Sequence, residues 1–198
     1  MSFNDTPPPF PIEHAESLIQ RAIGLGAGEA VVIPSSLIVV DDYLASLCNG
    51  NPACPNYGLS PSCPPHVPGP SAFRQWQNLS EWCVVIRMDF PPVGMMTPER
   101  RDLGRLLHDI VSGVEHDAVR LGYTQARAFA GGSCKNTFCY DFKTCRVLSE
   151  GGPCRNPESA RPSMSGFGIN VSKLMDSARW KEPPDLTSMT WMAGLVLL

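Results

Sequence analysis

Seven of the eight cysteines in this chain lie in two loops that are rich in proline and glycine, and the loops repeat one spacing. In each loop, three cysteines are separated by five and then by eight residues. They are Cys48, Cys54 and Cys63 in the first loop and Cys139, Cys145 and Cys154 in the second, which Cys134 precedes. Thiols concentrated on loops act either as disulfide partners or as metal ligands, and the redox compartment decides between the two.

The ends of the chain favour a reducing compartment. Residues 1–11 contain Asp5 and a proline run at 7–9, without the basic and apolar regions of a signal peptide. The apolar run at 193–198 is far shorter than the roughly 20 residues that span a bilayer. We therefore expect a cytoplasmic protein with no membrane partner, in which the cysteines are metal ligands rather than a disulfide framework.

Length and charge limit the architecture and the partners. A chain of 198 residues with 43% apolar composition suits one domain with a core, so we expect a flexible segment at 1–11 and a single α/β metal-binding domain at 12–198. A net charge of −3 gives no attraction to nucleic acid. The expected partner is a small-molecule substrate or a redox protein.

The apolar pattern predicts a βαβ unit within a mixed sheet flanked by helices. We expect a helix at 14–25, apolar strand-type runs at 30–33 and 37–40, and a short helix capped by Asp41 or Asp42. Trp82–Phe90 and 124–130 read as strands joined by a long helix, and two strands joined in this way are parallel. The final run, 189–198, is expected to insert into the sheet. The long helix has an apolar stripe of Leu103, Leu106, Leu107, Ile110, Val111, Val114 and Ala118.

The predicted unit places the second cysteine loop at a position where ligands bind. Gly131, Gly132, Ser133 and Cys134 follow the carboxyl end of a predicted parallel strand, which is where open α/β sheets hold ligands. Structural zinc sites present cysteine pairs two to four residues apart, and the closest thiols here have four residues between them. Iron–sulfur clusters accept wider spacing, and proline after a ligand is typical of them, as at Cys54 and Cys63. We favour an iron–sulfur cluster, with zinc as the alternative.

The number of ligands leaves more than one arrangement open. Cys134, Cys139, Cys145 and Cys154 suffice for one 4Fe–4S cluster. Cys48, Cys54 and Cys63 supply three ligands, so a second cluster has one open iron or a fourth ligand from His66, Cys83 or the other loop. Alternatively, the two loops meet around a single cluster. Cys83 lies within a predicted strand, where a buried cysteine is usually a small core side chain.

Several other side chains are candidates for contacts with the cluster or the substrate. Arg155 and Arg161 belong to a basic excess in the second loop, and they neutralise the cluster or bind a substrate carboxylate or phosphate. Tyr57 and His66 lie in the first loop. Ser163 is a helix cap or a site hydroxyl. The remaining histidines, His14, His108 and His116, are assigned to polar helix faces without a role.

Three segments resemble a known family. CPNYGLSPSCPPHVP (54–68), GGSC (131–134) and PCRNPESARPSMSGFGINV (153–171) are similar to the predicted metal-binding proteins of domain-of-unknown-function family 2284, and the resemblance runs from Ala30 to the C-terminal GLVLL. It implies an iron–sulfur protein of anaerobe-type metabolism with the cysteines as ligands, and it supplies no reaction. In many relatives, closely spaced cysteines follow GGSC, whereas an apparent insertion separates Cys139 and Cys145 here.

Three functions are compatible with these residues. The first is electron transfer or a small iron–sulfur oxidoreductase. The second is a non-redox lyase or desulfurase that uses an open iron as a Lewis acid. The third is a zinc-stabilised structural or binding module. The sequence assigns no catalytic residue.

Overall fold

The computed structural model describes residues 10–181 and 189–198. Its helices are α1 (Ile12–Gly24), α2 (Asp42–Ser46), α3 (Gly69–Leu79), α4 (Val93–Met96), α5 (Arg100–Arg120), α6 (Cys134–Phe138), α7 (Arg146–Glu150) and α8 (Val171–Ser177). Its strands are β1 (Glu29–Pro34), β2 (Trp82–Phe90), β3 (Arg127–Ala130) and β4 (Thr190–Leu197). The predicted flexible segment 1–11 lies outside the described residues except for positions 10 and 11. None of the helices described combines the length and hydropathy that a bilayer span requires.

The four described strands form one sheet in the order β1-β2-β4-β3, and every neighbouring pair is antiparallel. Helices and one sheet confirm the predicted α/β class. The prediction of a mixed sheet, with parallel and antiparallel pairs, is wrong. Strands β2 and β3 do run in the same direction and are joined by α5, yet β4 lies between them. The βαβ unit is split by the last strand, which inserts into the sheet as predicted.

Strand β4 occupies the middle of the sheet because its side chains are apolar on both faces. Leu195, Val196 and Leu197 are fully buried. At Gly194, an added Cβ would lie 3.0 Å from the carbonyl oxygen of Phe129 and would also collide with Val111. Glycine therefore lets β4 lie closely against both β3 and α5.

Side chains of alternate residues fill two separate cores, one on each face of the sheet. Val84 and Ile86 of β2 pack with α1 and α5, whereas Cys83 and Val85 pack with residues of α3 and α8. The predicted stripe of α5 is confirmed at every position except Leu106, which is 37% exposed because it lies at the edge of the buried face. The cysteine loops lie outside both cores.

One local prediction differs from the structure, and one helix was not predicted. The run at 37–40 is not a strand: Ser35–Leu37 is a 3₁₀ helix, and Val40 forms only an isolated bridge with Ile169. Helix α3 was not predicted. It buries Phe73, whose ring centre lies 5.1 Å from that of Phe129, and it thereby joins the end of the first cysteine loop to the sheet.

Candidate metal centres

The four cysteines of the second loop line one narrow cavity. We call Cys134, Cys139, Cys145 and Cys154 the four-cysteine site. Cys134 is the first residue of α6, Cys139 follows the end of that helix, and Cys145 precedes α7. Gly132 has a φ of +93°, which favours glycine, and it turns the chain sharply between β3 and α6. This turn brings Cys134 to the carboxyl end of β3.

Polar groups surround the sulfurs of the four-cysteine site. The backbone N–H of Asn156 donates to the Cys154 Sγ at 3.3 Å, and its Nδ2 lies 3.6 Å from the Cys139 Sγ. Burial raises the pKa of Cys139, while the nearby cations Arg155 and Lys135 act to lower it. Lys135 Nζ also donates to the Cys139 carbonyl at 2.6 Å. The site therefore offers donors and positive charge to sulfur.

The three cysteines of the first loop line a second cavity, of about 170 Å³. We call Cys48, Cys54 and Cys63 the three-cysteine site. The loop is closed by a hydrogen bond of 3.1 Å from the Cys54 N–H to the Cys48 carbonyl. Burial raises the pKa of Cys48, and the two neighbouring thiols raise it further, so the three sulfurs interact electrostatically. Tyr57 and Ser163 line the same cavity.

The two sites adjoin through Ser62. Its hydroxyl donates to the Cys134 Sγ at 3.0 Å and lies 3.9 Å from the Cys63 Sγ. Burial raises the pKa of Cys134, the hydroxyls of Ser62 and Ser60 act to lower it, and the thiols of Cys63 and Cys154 act to raise it. The pKa of Cys134 therefore depends on thiols of both sites.

Backbone hydrogen bonds hold this junction against the sheet. The Ser163 N–H donates to the Ser62 carbonyl at 2.9 Å, and the Ala130 N–H donates to the Pro162 carbonyl at 3.0 Å. Gly166 packs closely, since an added Cβ would lie 2.8 Å from Val67 in the segment that follows the first loop. Segment 162–166 thus ties the first loop to the end of β3.

Of the other candidate residues, three line a cysteine cavity and His66 lines neither. Tyr57 and Ser163 lie at the three-cysteine site, and Arg155 lies at the four-cysteine site. Ser163 precedes a short 3₁₀ helix, but its side chain makes no capping hydrogen bond. His66 is exposed, is not among the residues lining either cavity, and donates from Nε2 to the Gly58 carbonyl at 3.3 Å.

Arg161 lines neither of the two cysteine cavities. Its guanidinium pairs with Glu115 at 2.6 Å and donates to the Pro157 and Ala160 carbonyls. Its side chain is 10% exposed and that of Glu115 is 16% exposed. The charge of Arg161 is thus used within the protein, and it anchors the segment that follows Cys154 to α5.

The assignment of His108 to a polar helix face is wrong. Its side chain is fully buried, its Nδ1 accepts the backbone N–H of Arg161 at 3.1 Å, and its ring centre lies 5.2 Å from that of Phe138. Burial and then the charge of Arg161 lower its pKa to about 4. His108 is therefore a neutral acceptor beneath the four-cysteine site, which its polar residue type did not reveal.

All eight cysteines lie in the described chain and are free thiols. Cys83 is fully buried in a core, as its position in a strand predicted, and burial raises its pKa strongly. In the described part of the chain, no group of three or more His, Cys, Asp or Glu side chains is close enough together to hold a single metal ion. The sequence did not indicate the hydrogen bonds of Ser62 and Asn156 to cysteine sulfurs. Neither residue is a cysteine or belongs to the repeated cysteine spacing.

Comparison with known protein families gives a match over most of the chain. The family model described as "Predicted metal-binding protein (DUF2284)" matches residues 31–198, which confirms the resemblance carried by the cysteine segments. Searches of curated proteins and of solved structures find no match.

Proposed function

Because the chain belongs to this family of predicted metal-binding proteins, we propose that it is an iron–sulfur protein that acts in electron transfer or as a small reductase. The four-cysteine site would hold a 4Fe–4S cluster. The three-cysteine site would hold a second metal centre with one position available to substrate.

The observation that carries the proposal is the arrangement of four thiols around one cavity. Cys134 and Cys139 flank α6, while Cys145 and Cys154 flank the segment that contains α7. Each cysteine ligand of a 4Fe–4S cluster binds a different iron, so its sulfurs surround a volume rather than meet at a point. Thiolate ligands also favour iron–sulfur clusters and zinc over hard cations. The donor set therefore fits a cluster.

The residues around the thiols have definite tasks in this proposal. Asn156 and Ser62 donate to the sulfurs of Cys154 and Cys134, and Arg155 contributes positive charge. Hydrogen bonds and positive charge at the sulfurs raise the reduction potential of a cluster. Phe138 and Ala160 form apolar walls that limit access of water.

A specific observation also supports a second candidate, a non-redox lyase or desulfurase. The three-cysteine site has one thiol fewer than a fully ligated cluster, and its cavity of about 170 Å³ also contains Tyr57, Ser163 and Ser165. An iron bound there with an open position would supply Lewis-acid chemistry. Under this alternative, Tyr57 is the nearby hydroxyl suited to hold or donate a proton.

The test is the content of iron, acid-labile sulfide and zinc in protein purified without oxygen, followed by electron paramagnetic resonance before and after dithionite. Two clusters predict about eight irons with matching sulfide and a reducible signal. Cys145→Ser and Cys54→Ser should each remove metal from one site, and Cys83→Ala, which changes a core thiol, should leave the metal content unchanged. Stoichiometric zinc without sulfide would replace the proposal with a zinc-stabilised module.

One further measurement separates the reductase from the lyase. Cys145→Ser removes a thiol of the four-cysteine site. A cluster at that site must change oxidation state in a redox reaction, but not in a lyase or desulfurase reaction. Activity that survives this variant but is lost in Cys54→Ser favours the lyase or desulfurase, whereas loss in both variants, with the fold intact by circular dichroism, favours the reductase.

A further inference from the structure

A third cavity, of about 210 Å³, adjoins the three-cysteine site. It lies between the start of α5 and the turn at Gly131 to Ser133, and we call it the arginine cavity. The residues that line both this cavity and that of the three-cysteine site are Asn56, Arg100, Gly132, Ser133 and Ser165. A molecule in the arginine cavity is therefore next to the three thiols.

The charges that line the arginine cavity are of one sign. Arg100 and Arg101 contribute guanidinium groups, and no Asp or Glu in the described chain is among its lining residues. Within the described residues, Arg100 makes no ion pair and no side-chain hydrogen bond, and the side chain of Arg101 only stacks on Tyr140 at 3.9 Å. The arginines of this cavity keep their donors available.

A buried hydroxyl without a partner lies at the same place. Ser133 is 4% exposed, and its Oγ has no hydrogen-bond partner in the described part of the chain. A buried polar atom left without a partner costs about 1–3 kcal/mol, so such atoms usually serve a ligand or a water molecule. Gly132, beside it, has no atom within 4 Å of the position where a Cβ would stand. The turn thus places a buried hydroxyl without a described partner beside the cavity, next to the open space at Gly132.

We propose that the arginine cavity binds a small organic anion through a carboxylate or phosphate group, with the rest of the molecule directed at the three-cysteine site. Guanidinium groups recognise both kinds of anion through paired hydrogen bonds. Arg100 begins a helix of 21 residues, whose positive end adds to the attraction. Ser133 donates the hydrogen bond that its buried hydroxyl otherwise lacks. The inference rests on the proposed function, because it names the substrate class of that site.

The sizes of the two cavities limit the ligand. At about 210 Å³ and 170 Å³ they lie, even together, near the lower end of the roughly 300–1,000 Å³ of pockets for drug-sized molecules. The space suits a metabolite of low mass rather than a nucleotide or a peptide.

Calorimetric titration of the purified, metal-containing protein tests the inference. Succinate and inorganic phosphate are the two anionic probes, and neutral succinamide is the control for shape. We expect saturable binding of at least one anion at one site per chain, no binding of succinamide, and weaker binding as ionic strength rises. Succinate alone would identify a carboxylate site, and phosphate alone would identify a phosphate site.

Matched variants assign the binding to this cavity. Arg100→Gln and Arg101→Gln should each weaken anion binding by roughly ten- to hundredfold, the value of a charge-assisted hydrogen bond. Arg120→Gln removes the same charge from the other end of α5 and should change it less than about twofold. Equal effects of all three variants, equal binding of succinamide, or no saturation by either anion at about 10 mM, above typical substrate KM values, would overturn the inference. Metal analysis of the same sample reports separately on the proposed function.

Discussion

Burial of neutral His108 predicts a loss of stability in mild acid whose size follows from the structure. The folded pKa is about 4, and the unfolded value is 6.5. Protonation therefore favours the unfolded state below pH 6.5, and the contribution of the buried ring is lost as the pH falls towards 4. Between about pH 7.5 and 5.0 this linkage removes about 2 kcal/mol.

The charged groups around the ring support this direction. Arg161, packed above it, opposes protonation, and Asp109, its neighbour on α5, favours it less strongly. Asparagine at position 108 can retain an acceptor for the Arg161 N–H without a titrating group. His108→Asn should therefore be less stable than the natural protein at about pH 7.5, because it leaves unfilled space beside Phe138, but it should lose less stability on acidification.

Thermal melting of both proteins at the two pH values provides the assay. For a chain of this size, about 2 kcal/mol corresponds to roughly 4–8 °C in Tm, so the advantage of the natural protein should shrink by that amount at the lower pH. Release of metal by acid affects both proteins and cancels in the difference. His116→Asn, at a side chain that is 44% exposed, should follow the natural protein. Parallel falls in Tm for the natural protein and His108→Asn would refute the reasoning.

Three further predictions concern the junction, the turn and the buried ion pair. Ser62→Ala should lower the midpoint potential of the reducible signal, by up to about 60 mV if the hydrogen bond favours the reduced form tenfold. Ser46→Ala is the control, and an unchanged potential in Ser62→Ala would contradict a role for this contact. Gly132→Ala should cost about 1–2 kcal/mol in a thermal melt because of its left-handed backbone, whereas Gly24→Ala on α1 should be neutral or stabilising. Glu115→Ala should lower the free energy of unfolding by about 3–5 kcal/mol in the same assay, whereas Asp176→Ala, which breaks an exposed pair, should lower it by less than about 1 kcal/mol. Similar losses in the two variants would contradict a stabilising role for the buried pair of Glu115 and Arg161.

Local sequence patterns predicted the main elements well because the patterns arise from one helix or strand at a time. The periodicity of α5 and the apolar run of β2 each report on the burial of that element. The neighbour of a strand depends on the whole chain. The insertion of β4 between β2 and β3 therefore could not be predicted from the short connections around α5, which suggested two adjacent parallel strands.

The same distinction applies to the candidate site. The spacing of cysteines in each loop predicted two groups, and the structure gives each group its own cavity. Their contact through Ser62 joins residues that are 72 positions apart, so no local spacing reveals it. Arg161 and His108 were interpreted by residue type alone, and their burial against α5 is what changes their roles. Assignment of the seven cysteines as ligands remains a prediction.

The central position of β4 has a consequence for the order of events during translation. Strands β2 and β3 share no hydrogen bonds with each other, and both are completed only by the strand that emerges after them from the ribosome. Until then β2 and β3 lack the strand that lies between them, and neither core is closed. Both cysteine loops are synthesised before β4, so their thiols are present before the chain has folded. Maturation of the metal centres is therefore expected to follow the pairing of β4 with β2 and β3, after its apolar side chains have closed the fold beneath the loops.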